Sequence, residues 1–309
     1  MKPLQGVKVL DLSHRLPGPL GGKLLADKGA EVVKLEDEKL KDPFLEGFFA
    51  TFDESFMDWY KELNSQKKVV RLDFKGAEIK AEMAKWIEWA DIILMGLSDK
   101  MALQMGLSAD EMAKVKGAKV VLSMGASQTQ KTAMHDLNAL ADTGLLDMHV
   151  AGQTETPLAP PFLPVAGIAF GQQIALSAVS LLLQAQKQNK TIVTKVFMQE
   201  EIENVFAPFW SKHLRSQKRT KFLHNGAYPC YCLYQSKNGD WVAVAAVEEK
   251  FWLQFAEALN LKIELTDRFS RSPEVFSQVA DAIRAKTTAE LDNLLVSKDI
   301  CVSLIRHRA

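Results

Sequence analysis

The chain has 309 residues, 47% of them hydrophobic and 25% charged, the proportions of a soluble globular protein of about two domains. Lys and Arg number 38 and Asp and Glu 38, a formal net charge of zero; this excludes the sequence-wide basic footprint of a nucleic-acid binder and, at this hydrophobicity, disorder. Cys230, Cys232 and Cys301 are too few for a disulfide framework and lack zinc spacing, so reduced thiols in a cytoplasmic protein without a metal are expected.

The opening residues, Met1–Ser13, hold too short an apolar run for a signal peptide. Within them Val7–Leu12 is a short apolar run with β-branched members, read as a buried parallel strand. A loop with Pro17, Gly18 and Pro19 follows, then a helix over Leu20–Lys28 stopped by Gly29. Ala30–Leu35 is a second strand, which closes a βαβ unit with a right-handed crossover. The alternation continues: strand Val69–Leu72, helix Ala77–Ala90, strand Asp91–Leu94, helix Ala109–Val115, strand Lys119–Ser123. Together these make a doubly wound α/β layer.

Helices are predicted over 136–147, 165–186 and 200–215, with a Pro-rich connector, Pro157–Pro164, and a basic stretch, Lys212–Lys221. The run Val165–Leu183 is 19 residues without charge, close to bilayer length. Gln172, Gln173, Ser177 and Ser180 interrupt it, and a helix apolar most of the way round also suits the middle of a large α/β protein; no membrane span is expected. From Phe222 the texture changes to a hairpin, Tyr228–Gln235 and Trp241–Val247 about a Lys237–Asp240 turn. Helices Glu249–Leu259, Pro273–Lys286 and Thr288–Val296 and a strand Ile300–Leu304 complete a smaller α+β domain. The expected division is a large domain over 1–221 and a small one over 222–309.

A dinucleotide site needs G-x-G-x-x-G at the first strand–helix turn, and His14–Gly22 does not match it. This disfavours a resident nucleotide cofactor, although Glu36 sits where a ribose-binding acid would lie. No P-loop, H-E-x-x-H or G-x-S-x-G motif occurs. The same turn still lies at the carboxyl edge of the strands, where ligands bind. Helix-terminal amides with a basic residue close by suit phosphates there, which makes His14, Arg15, Leu16 and Pro17 candidate ligand contacts. Among six histidines, His135 stands out beside Asp136 at a helix start; by itself that pair fits a helix cap as well as a base.

The run from Pro3 to Glu36 resembles the opening of the family III CoA-transferases, a family that also contains the α-methylacyl-CoA racemases. It carries L-x-G-x-x-V-L-D-L, then G-P, then L-A-D-x-G-A-x-V-x-K-x-E. Further similarities follow in order: Asn64–Lys68 with Val70–Asp73, Ala90–Ile92, His135–Asn138 with Gly144-Leu145, Ala227–Pro229 with Gly239–Trp241, Ala246–Glu248, and Lys286–Glu290 leading to Cys301-Val302. The last three resemble the racemase branch. The resemblance implies a Rossmann-like large domain, a small domain and an interlocked homodimer. It also implies an acyl-CoA substrate lying along the carboxyl edge of the sheet, with no permanently bound cofactor. Racemase-type members use a His and an Asp as bases with a Glu orienting the His; transferase-type members use the Asp as nucleophile.

Carried over residue by residue, His135 falls on the His and Glu248 on the orienting Glu, while Lys67 and Lys68 fall where CoA phosphate contacts are expected. Glu248 also suits a helix cap, and the two lysines also suit a solvated face. The catalytic Asp has no counterpart: Gly167 occupies its place, and nothing between Glu155 and Glu200 is acidic. Other departures are Met95–Lys100 in place of an acidic-Asn-Phe-Arg-Pro-Gly segment, Asp37 where a basic residue commonly follows K-x-E, and Lys187–Thr191 in place of T-G-x-G-Q. Relatives also continue past Cys301-Val302 into a segment that returns to the large domain.

Four readings follow. The chain is an acyl-CoA enzyme doing α-proton chemistry or CoA transfer, with His135 as single base, Glu248 as its orienter and Asp136 or a partner's acid in support. Or it is an impaired member that binds acyl-CoA without turnover. Or it is one half of a hetero-oligomer whose partner supplies the Asp. Or the fold is kept for packing alone, with His135 a cap.

Overall fold

A computed structural model describes residues 2–130, 133–154, 156–217, 220–296 and 298–305. Lys218 and Arg219 of the basic stretch, and Glu155, lie outside the described residues. The chain divides into two compact units, one ending at Ser211 and the next starting at Lys212. The boundary therefore falls before the basic stretch, not after Lys221.

The first unit runs β1 (Lys8–Leu12), α1 (Pro17–Asp27), β2 (Glu31–Asp37), α2 (Phe48–Phe52), α3 (Ser55–Asn64), β3 (Lys68–Leu72), α4 (Ile79–Trp89) and β4 (Ile92–Met95). It continues with α5 (Asp99–Gln104), α6 (Ala109–Met112), β5 (Val120–Gly125), α7 (Asp136–Asp142), α8 (Leu146–Val150), α9 (Val165–Gln188), β6 (Ile192–Phe197) and α10 (Met198–Phe206). The six strands pair in parallel in the order β3-β2-β1-β4-β5-β6. This is the doubly wound α/β arrangement, and its order reverses between β1 and β4, so the loops after those strands diverge and open a crevice.

The central strand β4 is apolar on both faces because helices cover both. In β4, Ile92 and Leu94 pack with Val9, Leu25, Phe170, Ile174 and Ala178, while Ile93 and Met95 pack on the other side with Leu10, Leu12, Met83 and Met105. Each such buried Leu or Ile contributes about 1.5–3 kcal/mol of hydrophobic burial. The apolar helix α9 meets the length and composition of a membrane span, but its Ala166, Phe170, Ile174, Ala178 and Leu182 are buried in the first of these layers. Glycines let α1 and α9 approach closely. A Cβ on Gly21 would stand 2.7 Å from Ile174 Cγ2, and one on Gly171 would stand 2.8 Å from Leu20 Cδ2.

The predicted strands all form, within one to three residues at each end. The helix expected over 136–147 is broken where Gly144 turns to φ +74°, leaving α7 and α8. The helix expected over 200–215 ends at Phe206: Ala207 still has helical backbone, but Pro208 has no N–H with which to continue the ladder. The strand β6 and the helices α2, α3 and α5 are additions to the predicted set.

The second unit holds α11 (Lys212–Ser216), the antiparallel strands β7 (Tyr231–Gln235), β8 (Trp241–Ala245) and β9 (Val302–Leu304), and the helices α12 (Glu249–Leu259), α13 (Pro273–Arg284) and α14 (Thr288–Leu291). After α14 the predicted helix goes on as a π turn over Asp292–Val296. Its core is Trp252, Phe255, Val242, Val244, Val279 and Ile283.

Candidate functional site

The turn between β1 and α1 is held from beneath by buried charge. Asp11 is fully buried in β1; its carboxylate accepts from Lys67 Nζ at 2.8 Å, from the Ser13 backbone N–H at 3.0 Å and from the Ser13 hydroxyl. Lys67 also donates to the Pro19 carbonyl at 2.8 Å, which anchors the first turn of α1. Burial pushes the Asp11 carboxyl up, yet the ammonium groups of Lys67 and Lys34 and these hydrogen bonds outweigh it and hold it below the ordinary carboxylate range. Lys34, fully buried in β2, donates to the Ser13 carbonyl at 2.6 Å and to Asp42 at 3.1 Å. Asp42 in turn accepts from the Arg15 backbone N–H at 3.1 and 3.2 Å and from Phe44 N–H at 3.0 Å. Arg15 takes φ +66°, a left-handed backbone that costs a side-chain-bearing residue about 1–2 kcal/mol, and Asp42 and Lys34 grip the backbone on either side of His14.

Above this turn lie two cavities at the carboxyl edge. The smaller, about 230 Å³, sits at the crevice between β1, β4 and β5 and is lined by Ser13, His14, Arg15, Pro17, Gly96, Met134 and Phe170 among others. The larger, about 560 Å³, is lined by Ser13, His14 and Gly96 again, with Glu36, Asp37, Phe48, Phe49 and Phe74. His14 faces both. Desolvation by the surrounding walls, then the Arg15 guanidinium, pushes its imidazole below the ordinary value, although the residue keeps solvent contact.

At the far side of the small cavity α9 begins. The Asp136 carboxylate accepts the Gly167 N–H at 2.6 Å, a charge-assisted bond to the positive end of a 24-residue helix. A Cβ built on Gly167 would stand 3.6 Å from that same Asp136 oxygen and 2.8 Å from Leu16 Cδ2. Leu16 therefore occupies the space a side chain at 167 would need, and the Asp136 carboxylate lies where that side chain would point. Asp136 is half-buried, and desolvation raises its pKa against the opposing pull of the Gly167 and Ala166 amides. His135 caps α7 with its backbone, donating its N–H to Asn138 Oδ1 at 3.0 Å, and the residue is exposed.

The structure thus brings His14, Arg15 and Pro17 to the small cavity, places Leu16 against Gly167, and sets Asp136 at the start of α9. Lys67, expected at a phosphate, is instead buried under the turn with its ammonium committed to Asp11 and Pro19. Lys68 is exposed at the start of β3, level with the middle of β1, and lines neither cavity. Glu248 is in the second unit, exposed, as the residue that precedes α12. Sequence reasoning missed Lys34 and Asp42 as holders of the turn; Lys34 stood in a strand pattern at a core position, which was the available signal. Among the described residues no His, Cys, Asp and Glu cluster suits a metal ion.

The family model of CoA-transferase family III matches residues 4–309. The chain is 26% identical over 310 residues to the α-methylacyl-CoA racemase of Mus musculus, covering 97% of this chain and 77% of that protein. It is 25% identical over 307 residues to the succinyl-CoA–D-citramalate CoA-transferase of Chloroflexus aurantiacus, covering 96% and 72%. The crystal structure of a CAIB/BAIF family protein from Brucella suis superposes with a TM-score of 0.81 at 16% identity, covering 99% of this chain and 84% of that one; at that identity the likeness concerns the fold.

Proposed function

The chain belongs to CoA-transferase family III, and from that premise we propose that it catalyses α-proton exchange on an acyl-CoA thioester, with His135 as base and Asp136 as the second acid–base group. One observation carries the reading: an acid, Asp136, sits on the first turn of α9 where Gly167 offers only backbone. A thioester acidifies its α-carbon. His135 takes the α-proton, the electron pair moves onto the thioester oxygen, and a proton returns to the α-carbon from the Asp136 carboxyl. Desolvation suits that carboxyl to the task, because a raised pKa keeps it protonated to higher pH than an ordinary carboxyl. Acid and base on consecutive residues favour exchange or isomerisation over inversion of a centre. Glu248 enters through the resemblance alone, as orienter of the imidazole, and Glu248→Gln tests it separately.

The experiment is incubation with a 2-methylacyl-CoA in deuterated water. Wild type is expected to incorporate α-deuterium, and His135→Ala to lower that rate about 10²–10⁴-fold, the usual worth of a general base. Wild-type exchange no faster than buffer would exclude the reading for that substrate. The absent side chain at Gly167 favours a second reading, binding without turnover. Its signature is a rise in melting temperature with CoA and no exchange.

A further inference from the structure

Resting on that thioester reading, we infer that the larger cavity receives an adenosine whose ribose carries no 3′-phosphomonoester, so that dephospho-CoA thioesters bind in preference to CoA thioesters. Ser13, His14 and Gly96 line both cavities. The two are contiguous, so a thioester whose reactive end lies by the β1–α1 turn and the start of α9 extends its far, nucleotide end into the larger. Phe48, Phe49 and Phe74 give that cavity aromatic walls, faces on which a purine can stack.

Charge then decides what the ribose carries. The carboxylates of Glu36, Asp37, Asp42 and Glu46 line the larger cavity against one ammonium, that of Lys41. Lys41 is paired with Glu46, and around it Lys34 is paired with Asp42, Arg71 with Glu36 at 3.3 Å and Lys39 with Asp73 at 2.6 Å, while the Arg15 guanidinium stands 5.6 Å from the Phe49 ring centroid. Asp37 accepts three backbone N–H groups, from Lys39, Leu40 and Phe74. Among the described residues no cation stands within ion-pair distance of it. A phosphomonoester brings nearly two further negative charges to a wall of four carboxylates whose one lining ammonium is already paired.

A ribose hydroxyl meets the opposite situation. An acid at the end of the second strand of such a sheet accepts ribose hydroxyls, while a basic residue is what accommodates a ribose phosphate. Glu36 Oε2 is buried and, apart from its ion pair with Arg71 at 3.3 Å, accepts no hydrogen bond, so it keeps a lone pair for such a donor. Glu36 belongs to the K-x-E run through which the chain resembles its relatives; Asp37 does not, and it is the residue that sets the preference.

The test is isothermal titration of the full chain with CoA and with dephospho-CoA, at low and high salt. Wild type is expected to bind dephospho-CoA about tenfold more tightly at low ionic strength, the gap closing as salt screens it. Asp37→Asn keeps the oxygen that accepts from Lys39 and Leu40, gives up the bond from Phe74, and is expected to shrink the preference to about twofold. Asp37→Arg is expected to reverse it, and if that variant fails to fold the Asn variant decides. CoA bound by wild type as tightly as dephospho-CoA, or a preference unchanged in Asp37→Asn, overturns the inference and leaves the thioester reading standing. Binding of neither overturns both.

Discussion

The turn after β1 and the first turn of α9 meet where Leu16 packs on Gly167, but different forces hold them. In the turn, Asp11, Lys34, Lys67 and Asp42 are buried, and opposite charges satisfy one another across three strands' worth of chain. At α9 the groups are a bare glycine, a half-buried Asp136 and an exposed His135. The first region is rigid because removing any one charge strands its partner in a low-dielectric interior. The second leaves an acid partly desolvated and an imidazole open to solvent, a condition that favours chemistry over stability. Charge fixes the backbone in the first region and stays within reach of solvent in the second.

The sharpest way to break the comparison is to remove Asp42. Asp42→Ala leaves the buried Lys34 ammonium with the Ser13 carbonyl and Glu36 at 3.9 Å and releases the Arg15 and Phe44 amides, so a loss of about 3 kcal/mol is expected in urea unfolding. A loss below about 1 kcal/mol, the worth of a surface pair, would show that the buried charges do not hold the turn.

The two carboxylates sharpen it next, because their pKa shifts run in opposite directions. Asp11 is lowered from 3.8 in the fold, so its contribution to stability is present above that value and is lost as pH falls through the lower folded one. Asp136 is raised from 3.8; the folded state then binds more protons, and stability falls as pH rises from 3.8 through the higher folded value. Asp136→Asn can keep its carbonyl on the Gly167 N–H. It is expected to abolish the falling limb and gain up to about 1 kcal/mol at neutral pH, with solvent screening keeping the effect small, while losing α-deuterium exchange. An Asn variant that is less stable at neutral pH than wild type would contradict the sign.

An effect of similar size and opposite sign is expected at Gly167. In Gly167→Asp the new Cβ displaces the Leu16 side-chain end and brings a second carboxylate towards Asp136. The cost is expected to be about 1 kcal/mol, as for a mild overpacking, and Leu16→Ala in the same chain should recover part of it. Additive effects in this double-mutant cycle would mean that the two residues do not compete for the same space.

Much of the fold was legible because its signals are local. Val7–Leu12, the Pro-Gly turn and Gly29 mark a βαβ unit without reference to any distant residue, and the long helix was visible from its uncharged run. The strand β6 was equally readable in Ile192–Phe197, with its β-branched residues, and was passed over because a charged, Gln-rich stretch precedes it. The helix α2, five residues long, resists such reading, since Phe48 and Phe49 are held in an aromatic cluster with Phe44, Phe56 and Trp59; α3 carries a helical period in Phe56, Tyr60 and Leu63 that the predicted set lacks.

The sequence by itself determined the order of strands and helices, the resemblance to a family and the absence of a side chain at 167, since each is a property of neighbouring residues or of residue type. Tertiary structure alone decided that Lys67, 56 residues from Asp11, is buried under the turn, and that Asp136, 31 residues from Gly167, supplies a carboxylate at the start of α9. Burial and charge pairing depend on which distant segments the sheet brings together, and the pKa of an acid is set by that company.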